Sequence, residues 1–597
     1  MEQIKDRIAS LRDAMQKAGI SACIIPGTDP HASEYIAECW KERVWISGFT
    51  GSAGTIVITL DKGGLWTDSR YYLQAGDQLA GTGIDVMKMG QPETPDMVSW
   101  ISSQLTAGEK VGVNAQMFPI NSYAAMKFDF QQAGIGLVSM DLLANVWTGR
   151  PSLPMAPFFV FDTRYSGKPA AGKLADLRAE MKKARANVYV LSTLDDIAWL
   201  FNIRGNDVHY NPVVISFAVV EEDKATLFVA PEKTTVEAKA YLAREGVDVL
   251  PYGEVYNALK EIDHSKAVLV DGTKLNQSLF EAIPAGCIVR NVLSPVAKLK
   301  SIKNETEIAG YRRAMVKDGV ALTRFFKWLE ENVASCKLTE TSVDRKLLEF
   351  RSQQDGFMGA SFGSISSYGA HGAVVHYIPT EETASTLLPE GIYLLDSGGQ
   401  YLDGTTDTTR TITLGKTTAR QKSDFSMALK GHIALASAIF PVNTRGSQLD
   451  ILARKAMWDR GVNYGHGTGH GVGHFLNVHE GPQSIRAEEN PVVLEEGMFM
   501  SNEPAMYRTG EYGMRTENCI LIVPAFETEF GKFLKFETLT LCYIDRELMD
   551  IDILDSADLE WIDGYHQQVL DELSPYLNEE EKAWLANKCR PTYDLVF

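Results

Sequence analysis

Gly465-His466-Gly467-Thr468-Gly469-His470-Gly471-Val472-Gly473-His474, continuing to Val478-His479-Glu480-Gly481-Pro482, is the stretch on which the fold of this chain turns. It holds four of the eleven histidines. Glycine at every second position from 465 to 473 weakens any regular element, so the segment needs either φ freedom or very close backbone approach. Neither G-x-G-x-x-G nor a P-loop ending in Gly-Lys-Ser/Thr occurs here, which removes a phosphate cradle. A helical zinc site from His466 and His470 fails as well, because each interior glycine costs a helix about 1 kcal/mol. An extended or looped course puts His466, Thr468 and His470 on one face. By itself the stretch also fits a solvent-exposed glycine-rich turn, and its neighbours in the sequence must decide.

Four acids supply the decision. Leu394-Leu395-Asp396 ends an apolar run, and Thr406-Asp407-Thr408-Thr409-Arg410-Thr411 follows after turn residues. Two adjacent antiparallel strands would let Asp396 and Asp407 meet across the pair, where like charges repel unless a cation intervenes. Either alone reads equally well as a turn former or a solvated carboxylate. Further on, Met498-Phe499-Met500-Ser501-Asn502-Glu503-Pro504 places Glu503 at the end of an apolar strand. Glu517 opens another, in Gly513-Met514-Arg515-Thr516-Glu517-Asn518-Cys519-Ile520. Buried carboxylates are costly unless paired or coordinated to metal, and Arg515 neutralises one of four. Four carboxylates and one imidazole suit two adjacent divalent ions with room for a bridging hydroxide. The oxygen-rich set selects manganese, cobalt, iron or zinc over a thiolate-seeking metal. Such a pair polarises a carbonyl and acidifies water, so hydrolysis is the expected chemistry.

Composition narrows the partners. The chain has 597 residues, too long for one core, and a net charge of −19, with no basic tract to receive nucleic acid. No run of 18 apolar residues predicts a membrane span. The N-terminal Ile4, Ile8, Leu11 and Met15 mark an amphipathic helix in place of a signal peptide. Seven scattered cysteines without C-x-x-C fit thiols in a reducing cytosol.

The organisation reads as α/β and α+β. Residues 1–153 alternate apolar runs (Ala22 to Pro26, Thr55 to Leu60) with helical patterns, and three prolines between Pro151 and Pro157 mark a linker. Residues 154–297 repeat that style, with a helix from Ala171, a strand at Val188 to Leu191 and strand-like runs at Val213 to Val220 and Ala225 to Ala230, so a duplicated domain is expected. A charged helix from Lys298 to Met315 opens a third unit, 298–597. From about 545 its tail reads as helical (Leu548 to Leu554, Tyr565 to Leu577, Glu579 to Leu585), placed to cover a face or a partner subunit.

Asp396, Asp407, His470, Glu503 and Glu517, in this order and with these flanking motifs, resemble the five ligands of the dinuclear pita-bread metallopeptidases. The whole chain is similar to the three-domain aminopeptidase P (Xaa-Pro aminopeptidase) group. Gly48-Phe49-Thr50-Gly51-Ser52-Ala53-Gly54 and Trp66-Thr67-Asp68-Ser69-Arg70-Tyr71 carry the likeness in the first unit, and Trp199 to Gly205 in the second. Val375-His376-Tyr377 and Asn477-Val478-His479-Glu480-Gly481-Pro482 carry it in the third. The resemblance implies two creatinase-like N-terminal α/β domains, a C-terminal pita-bread catalytic domain, and a hydrolase cutting N-terminal Xaa-Pro bonds through a hydroxide bridging two divalent metals, manganese first. Asp407 and Glu517 would bridge the ions, Asp396 would complete one site, and His470 with Glu503 the other. Glu503 would shuttle protons, His376 and His479 would hold the scissile carbonyl, and His466, Tyr507 and Arg515 would lie on the substrate side. A cytoplasmic homodimer acting on peptides with proline at the second position is the corresponding expectation. Ala505 and His474 depart from the pattern, where the family usually shows Gly and a small residue. His474 and His371 otherwise read as surface or satisfied core histidines.

Alternatives remain at this level. Prolidase shares ligands and proline preference, but cleaves only dipeptides and typically has one N-terminal domain. Creatinase lacks the ligand set, and methionine aminopeptidase lacks the N-terminal units. Gly359-Ala360-Ser361-Phe362-Gly363 fits G-x-S-x-G, and Ser361, Asp407 and His470 follow the order of an α/β-hydrolase triad. The elbow's strand-to-helix context is missing there, because Ser361 follows a helical pattern.

Overall fold

A computed structural model describes residues 2–595. Two compact units emerge, one from the residues up to Thr163 together with Lys168–Leu299, the other from Arg164–Gly167 together with the chain from Lys300 onward.

The first unit holds two six-stranded sheets, one spanning Ala22–Ser139 and the other Val188–Asn291. Numbered by chain order within each sheet, both run 4-3-2-1-5-6. The pairings match as well: 1–2 and 2–3 are antiparallel, while 3–4, 1–5 and 5–6 are parallel. This is the duplication anticipated from the sequence. Period-two burial explains why the central strands of the first sheet are apolar on both faces: Ile25, Ile56 and Ile58 pack with Ile8, Leu11 and Met15 of the helix Glu2–Ala18, while Ile24 and Val57 face Met126 and Phe130. Both sheet faces are covered.

In the second unit the sequence reading needs correction at its two ends. The charged stretch after Lys298 is two helices, Pro295–Ser301 and Glu305–Asn332, separated because Asn304 caps the second one, accepting from Thr306 and Glu307 N–H while Glu307 reaches back. At the other end, residues 548–554 form no helix; a 3-10 turn at Arg546–Leu548 precedes the helices Ser556–Leu573 and Glu579–Lys588. Nor is that tail a mere cover. Ile562, Val569, Leu573 and Leu585 share one core with Phe325, Phe326, Leu329, Tyr393, Leu395 and Ile433. Burying each such side chain is worth about 1.5–3 kcal/mol, so the tail is part of the domain's own core.

Between the helices lie the strands that position the acids. Ile392–Ser397 pairs antiparallel with Thr408–Thr413, Asp396 opposite Thr409. A six-stranded sheet runs Ile439–Pro441, Gly531–Thr538, Asn518–Thr528, Phe499–Asn502, Gly469–Gly471, Glu480–Ile485. A hairpin, Ala505–Arg508 with Tyr512–Arg515, links Glu503 to Glu517. Among the described residues no helix is long and apolar enough to cross a membrane.

Candidate metal centre

Each predicted acid sits at a strand boundary. Asp396 lies one residue before the end of Ile392–Ser397, and Asp407 directly before Thr408–Thr413. Glu503 follows Phe499–Asn502, and its N–H donates to the Thr468 carbonyl at 2.8 Å. Glu517 precedes Asn518–Thr528, its N–H donating to the Thr409 carbonyl at 3.1 Å. His470 occupies the middle of the short strand Gly469–Gly471. The glycines there serve close approach, not unusual φ: a Cβ on Gly469 would stand 2.1 Å from the Ser501 carbonyl oxygen, and one on Gly471 2.4 Å from that of Glu480. Alanine at 469 would push the His470 strand from the one that leads to Glu503, and alanine at 471 would push it from Glu480–Ile485.

The side chains converge. Potential ligand atoms of Asp407, His470 and Glu517 lie within 4.8 Å of one another. His470 Nε2 is 3.4 Å from Asp407 Oδ2 and 3.6 Å from Glu503 Oε1. The His470 Nδ1–H donates to the Gly471 carbonyl at 2.8 Å, which turns Nε2 toward the acids. Asp396 joins through Arg515, whose Nη2 donates to its Oδ2, while its Oδ1 is buried without a hydrogen-bond partner. Thr409 donates its hydroxyl proton to Glu517 Oε2 at 2.7 Å and accepts from Arg515 Nε at 3.0 Å.

Burial pushes the Asp396 carboxyl up to about 6, with Asp407 and Glu503 reinforcing the rise and Arg515 opposing it. Burial, then the neighbouring carboxylates, raise Glu517 well above the usual range. Glu503 is raised by burial too, against His470 and Arg515. For His470 burial opposes the charge, yet the Asp407 hydrogen bond and Glu503 prevail and raise it to about 9. Four carboxylates around one guanidinium and one imidazole are short of positive charge. The orphaned Asp396 oxygen and the three converging ligand atoms fit a divalent cation pair.

The predicted substrate-side residues form a chain. Arg515 Nη1 donates to the Tyr507 hydroxyl at 2.5 Å, and Tyr507 lies 2.9 Å from His466 Nε2. His466 Nδ1 donates to the Gly467 carbonyl at 2.7 Å and stands 4.0 Å from Glu503. His479 packs edge-on against His470, ring centroids 4.4 Å apart. His376 is half-buried, three residues past the turn Gly369–Ala373, whose Gly372 abuts the backbone of Gly513, two residues from Arg515.

Other sequence suggestions resolve differently. Thr468 is buried and bonds Asp450 and Tyr464 at 2.5 Å each. Arg454 holds the same loop through the Tyr464 and His466 carbonyls, both at 2.7 Å. His371 is tied to buried Glu340 at 2.9 Å, and His474 is buried edge-on to Tyr311. Ala505 is buried at the start of its hairpin. Ser361 follows a strand, Phe357–Ala360, where the sequence suggested a helix, but the next element is another strand, Ile365–Tyr368, and the residue is fully buried, donating to the Thr406 carbonyl at 2.9 Å; it is no nucleophile elbow. Sequence reasoning missed Thr409, Arg410 and His432. The available signal was a buried-looking asparagine beside each glutamate, Asn502 before Glu503 and Asn518 after Glu517.

The comparisons agree with this geometry. Residues 309–524 match metallopeptidase family M24, and 532–592 the C-terminal region of that peptidase family. Residues 7–144 and 149–307 each match a creatinase/prolidase N-terminal domain. Fold and site thus define a metallopeptidase with a doubled N-terminal region. A probable Xaa-Pro aminopeptidase P of Sordaria macrospora is 40% identical over 98% of this chain and 99% of its own. Aminopeptidase P2 of Arabidopsis thaliana is 39% identical over 98% and 88%. A Caenorhabditis elegans X-prolyl aminopeptidase, described as a cytosolic enzyme with a di-nuclear active site, superimposes with a TM-score of 0.95 at 34% identity, covering 99% of this chain and 100% of that one. The chain belongs to the Xaa-Pro aminopeptidases of metallopeptidase family M24. A Thermococcus sibiricus prolidase shares the fold alone, with a TM-score of 0.51 at 21% identity over 64% of this chain.

Proposed function

We propose that the chain hydrolyses the N-terminal Xaa-Pro bond of peptides, using two divalent metal ions, manganese first among them, as a cytoplasmic homodimer. The observation that carries the chemistry is the convergence of Asp407, His470 and Glu517 with Asp396 and Glu503 beside them. Full-length likeness to proteins named Xaa-Pro aminopeptidase supports the substrate class over the prolidase alternative. Residues 1–153 and 154–297 are the creatinase-like domains on this reading, and 298–597 the catalytic one.

Asp407, His470 and Glu517, with Asp396 and Glu503 beside them, would hold the two ions. When bound, the ions supply Lewis acidity and a water acidified toward neutrality. Glu503, beside His470, would take up a proton during attack and return it to the leaving proline nitrogen. His376 and His479 hydrogen-bond the scissile carbonyl oxygen as charge grows on it. Arg515 and Tyr507 hold His466 beside the substrate path, its Nδ1 hydrogen-bonded to the Gly467 carbonyl. Proline after the cut has no N–H and a fixed φ, so a groove that relies on that N–H holds it poorly and a dedicated pocket is needed.

Metal analysis of the purified protein with a panel of Xaa-Pro and Xaa-Pro-Yaa peptides tests this reading. Two ions per chain and cleavage of tripeptides are expected. Cleavage of dipeptides alone would make the chain a prolidase, and full activity in a strong chelator would remove the metals from the mechanism.

A further inference from the structure

Arg410 lies next to Thr409 on the strand that follows Asp407, and its side chain is almost fully buried. Its Nη1 donates to the carbonyls of Thr409 (2.9 Å) and Glu517 (2.7 Å), and its Nε to that of Tyr543 (2.9 Å). Its Nη2 reaches the Cys542 carbonyl (2.7 Å), Asn518 Oδ1 (2.7 Å) and the Tyr565 hydroxyl (2.8 Å). All six acceptors are neutral. A cation buried this deeply is costly, and the hydrolytic chemistry does not use its charge. What it does is join the backbone at Glu517 to the C-terminal region.

Tyr565, on the helix Ser556–Leu573, is the far anchor. Its hydroxyl lies 2.9 Å from the carbonyls of both Thr540 and Cys542 and accepts the Cys542 N–H at 3.3 Å. A second arm runs from Asn518, whose Nδ2 donates to His432 Nε2 at 3.1 Å. His432 Nδ1 then donates to the Asn502 carbonyl at 3.1 Å, and Asn502 Nδ2 returns a bond to the His432 carbonyl at 2.9 Å. The same C-terminal helix braces this arm: Trp561 stands edge-on to His432 and stacks on Tyr565, centroids 5.8 and 5.3 Å apart. Asn502 and Asn518 are the immediate chain neighbours of Glu503 and Glu517. Carboxylates that repel one another need such a frame to stay in place before any cation arrives.

We propose that Tyr565 is a positioning residue for the metal-binding carboxylates, setting the backbone at Glu517 through Arg410 and, through Asn518 and His432, that at Glu503. The C-terminal region is thereby a working part of the metal centre. This rests on the ligand assignment above.

The test compares full-length Tyr565→Phe, which removes only the hydroxyl, with Val569→Ala, which opens the same helix's packing and touches no hydrogen bond. His432→Asn cuts the second arm and carries the same expectation as Tyr565→Phe. Metal-free protein is titrated with manganese, and the visible spectrum of the cobalt-loaded form reports ligand geometry. Tyr565→Phe is expected to weaken metal binding about tenfold, shift the cobalt spectrum and lower kcat with KM unchanged. Val569→Ala is expected to lower the melting temperature while keeping wild-type affinity and spectrum. A wild-type affinity and spectrum in Tyr565→Phe, or the same metal loss in Val569→Ala, overturns the proposal. Wild-type protein that binds two ions but cleaves no Xaa-Pro peptide would sink the proposed substrate and leave this comparison readable.

Discussion

Two buried clusters of charge in the catalytic unit are built on opposite plans. Arg351 and Asp318 are each 2% exposed and meet in a two-pronged contact of 2.8 and 3.0 Å, with the Tyr401 hydroxyl donating to Asp318 at 2.9 Å. One charge meets one charge, and the remaining lone pair is filled. Around His470 the plan is unbalanced: four carboxylates face one arginine, one oxygen has no partner, and the carboxyls of Asp396, Glu503 and Glu517 are raised, by burial first and by neighbouring carboxylates after it. Both clusters are costly to bury, but only the first is complete by itself. The imbalance marks the site that must be finished by something the polypeptide does not carry.

Four experiments can break or sharpen that contrast. The largest effect is expected from Asp407→Asn in the unbalanced cluster. Loss of Lewis-acid stabilisation worth several kcal/mol should lower kcat/KM by about a thousandfold or more, with the circular dichroism spectrum unchanged. Retained activity with the metal gone would refute the mechanism. In the balanced cluster the effect should fall on folding instead: Asp318→Asn leaves Arg351 buried without its counter-charge, and denaturant unfolding should show a loss of about 3–5 kcal/mol with metal affinity untouched.

The third experiment is the pH dependence of the metal-free protein. Asp396 is raised from 3.8 to about 6, so the native state holds more protons than the unfolded chain between those values, and stability falls as pH rises through that window. His470, raised from 6.5 to about 9, has the same sign: its stabilisation is full below 6.5 and is lost as pH rises toward 9. The Asp396 shift alone corresponds to on the order of 3 kcal/mol. Urea midpoints in chelator should therefore decline from pH 4 to 9, and the metal-loaded protein should not follow, since bound cations replace the protons. The smallest effect is expected from Ser361→Ala. It loses one buried hydrogen bond, about 1 kcal/mol of stability, and should retain activity within about twofold and resist serine-directed phosphonates.

Much of this architecture was legible in one dimension because local pattern caused it. The repeated apolar runs gave the two matching sheets, and the acids stood out as charges at the ends of apolar strands. The tail was misread because its apolar positions look the same whether they cover a surface or, as Ile562 and Val569 do, enter a core shared with Leu395 and Phe325.

The sequence by itself determined the kind of chemistry, since five candidate ligands in order and the shortage of cations among them are matters of composition and spacing. Only the tertiary structure decided how those ligands are held. Arg410, His432, Asn502 and Asn518 carry no motif, and their roles arise from hydrogen bonds between residues 70 to 155 positions apart. The chain's own order encodes which groups are available; which of them meet is set by packing, where a buried donor must find its acceptor wherever in the sequence that acceptor lies.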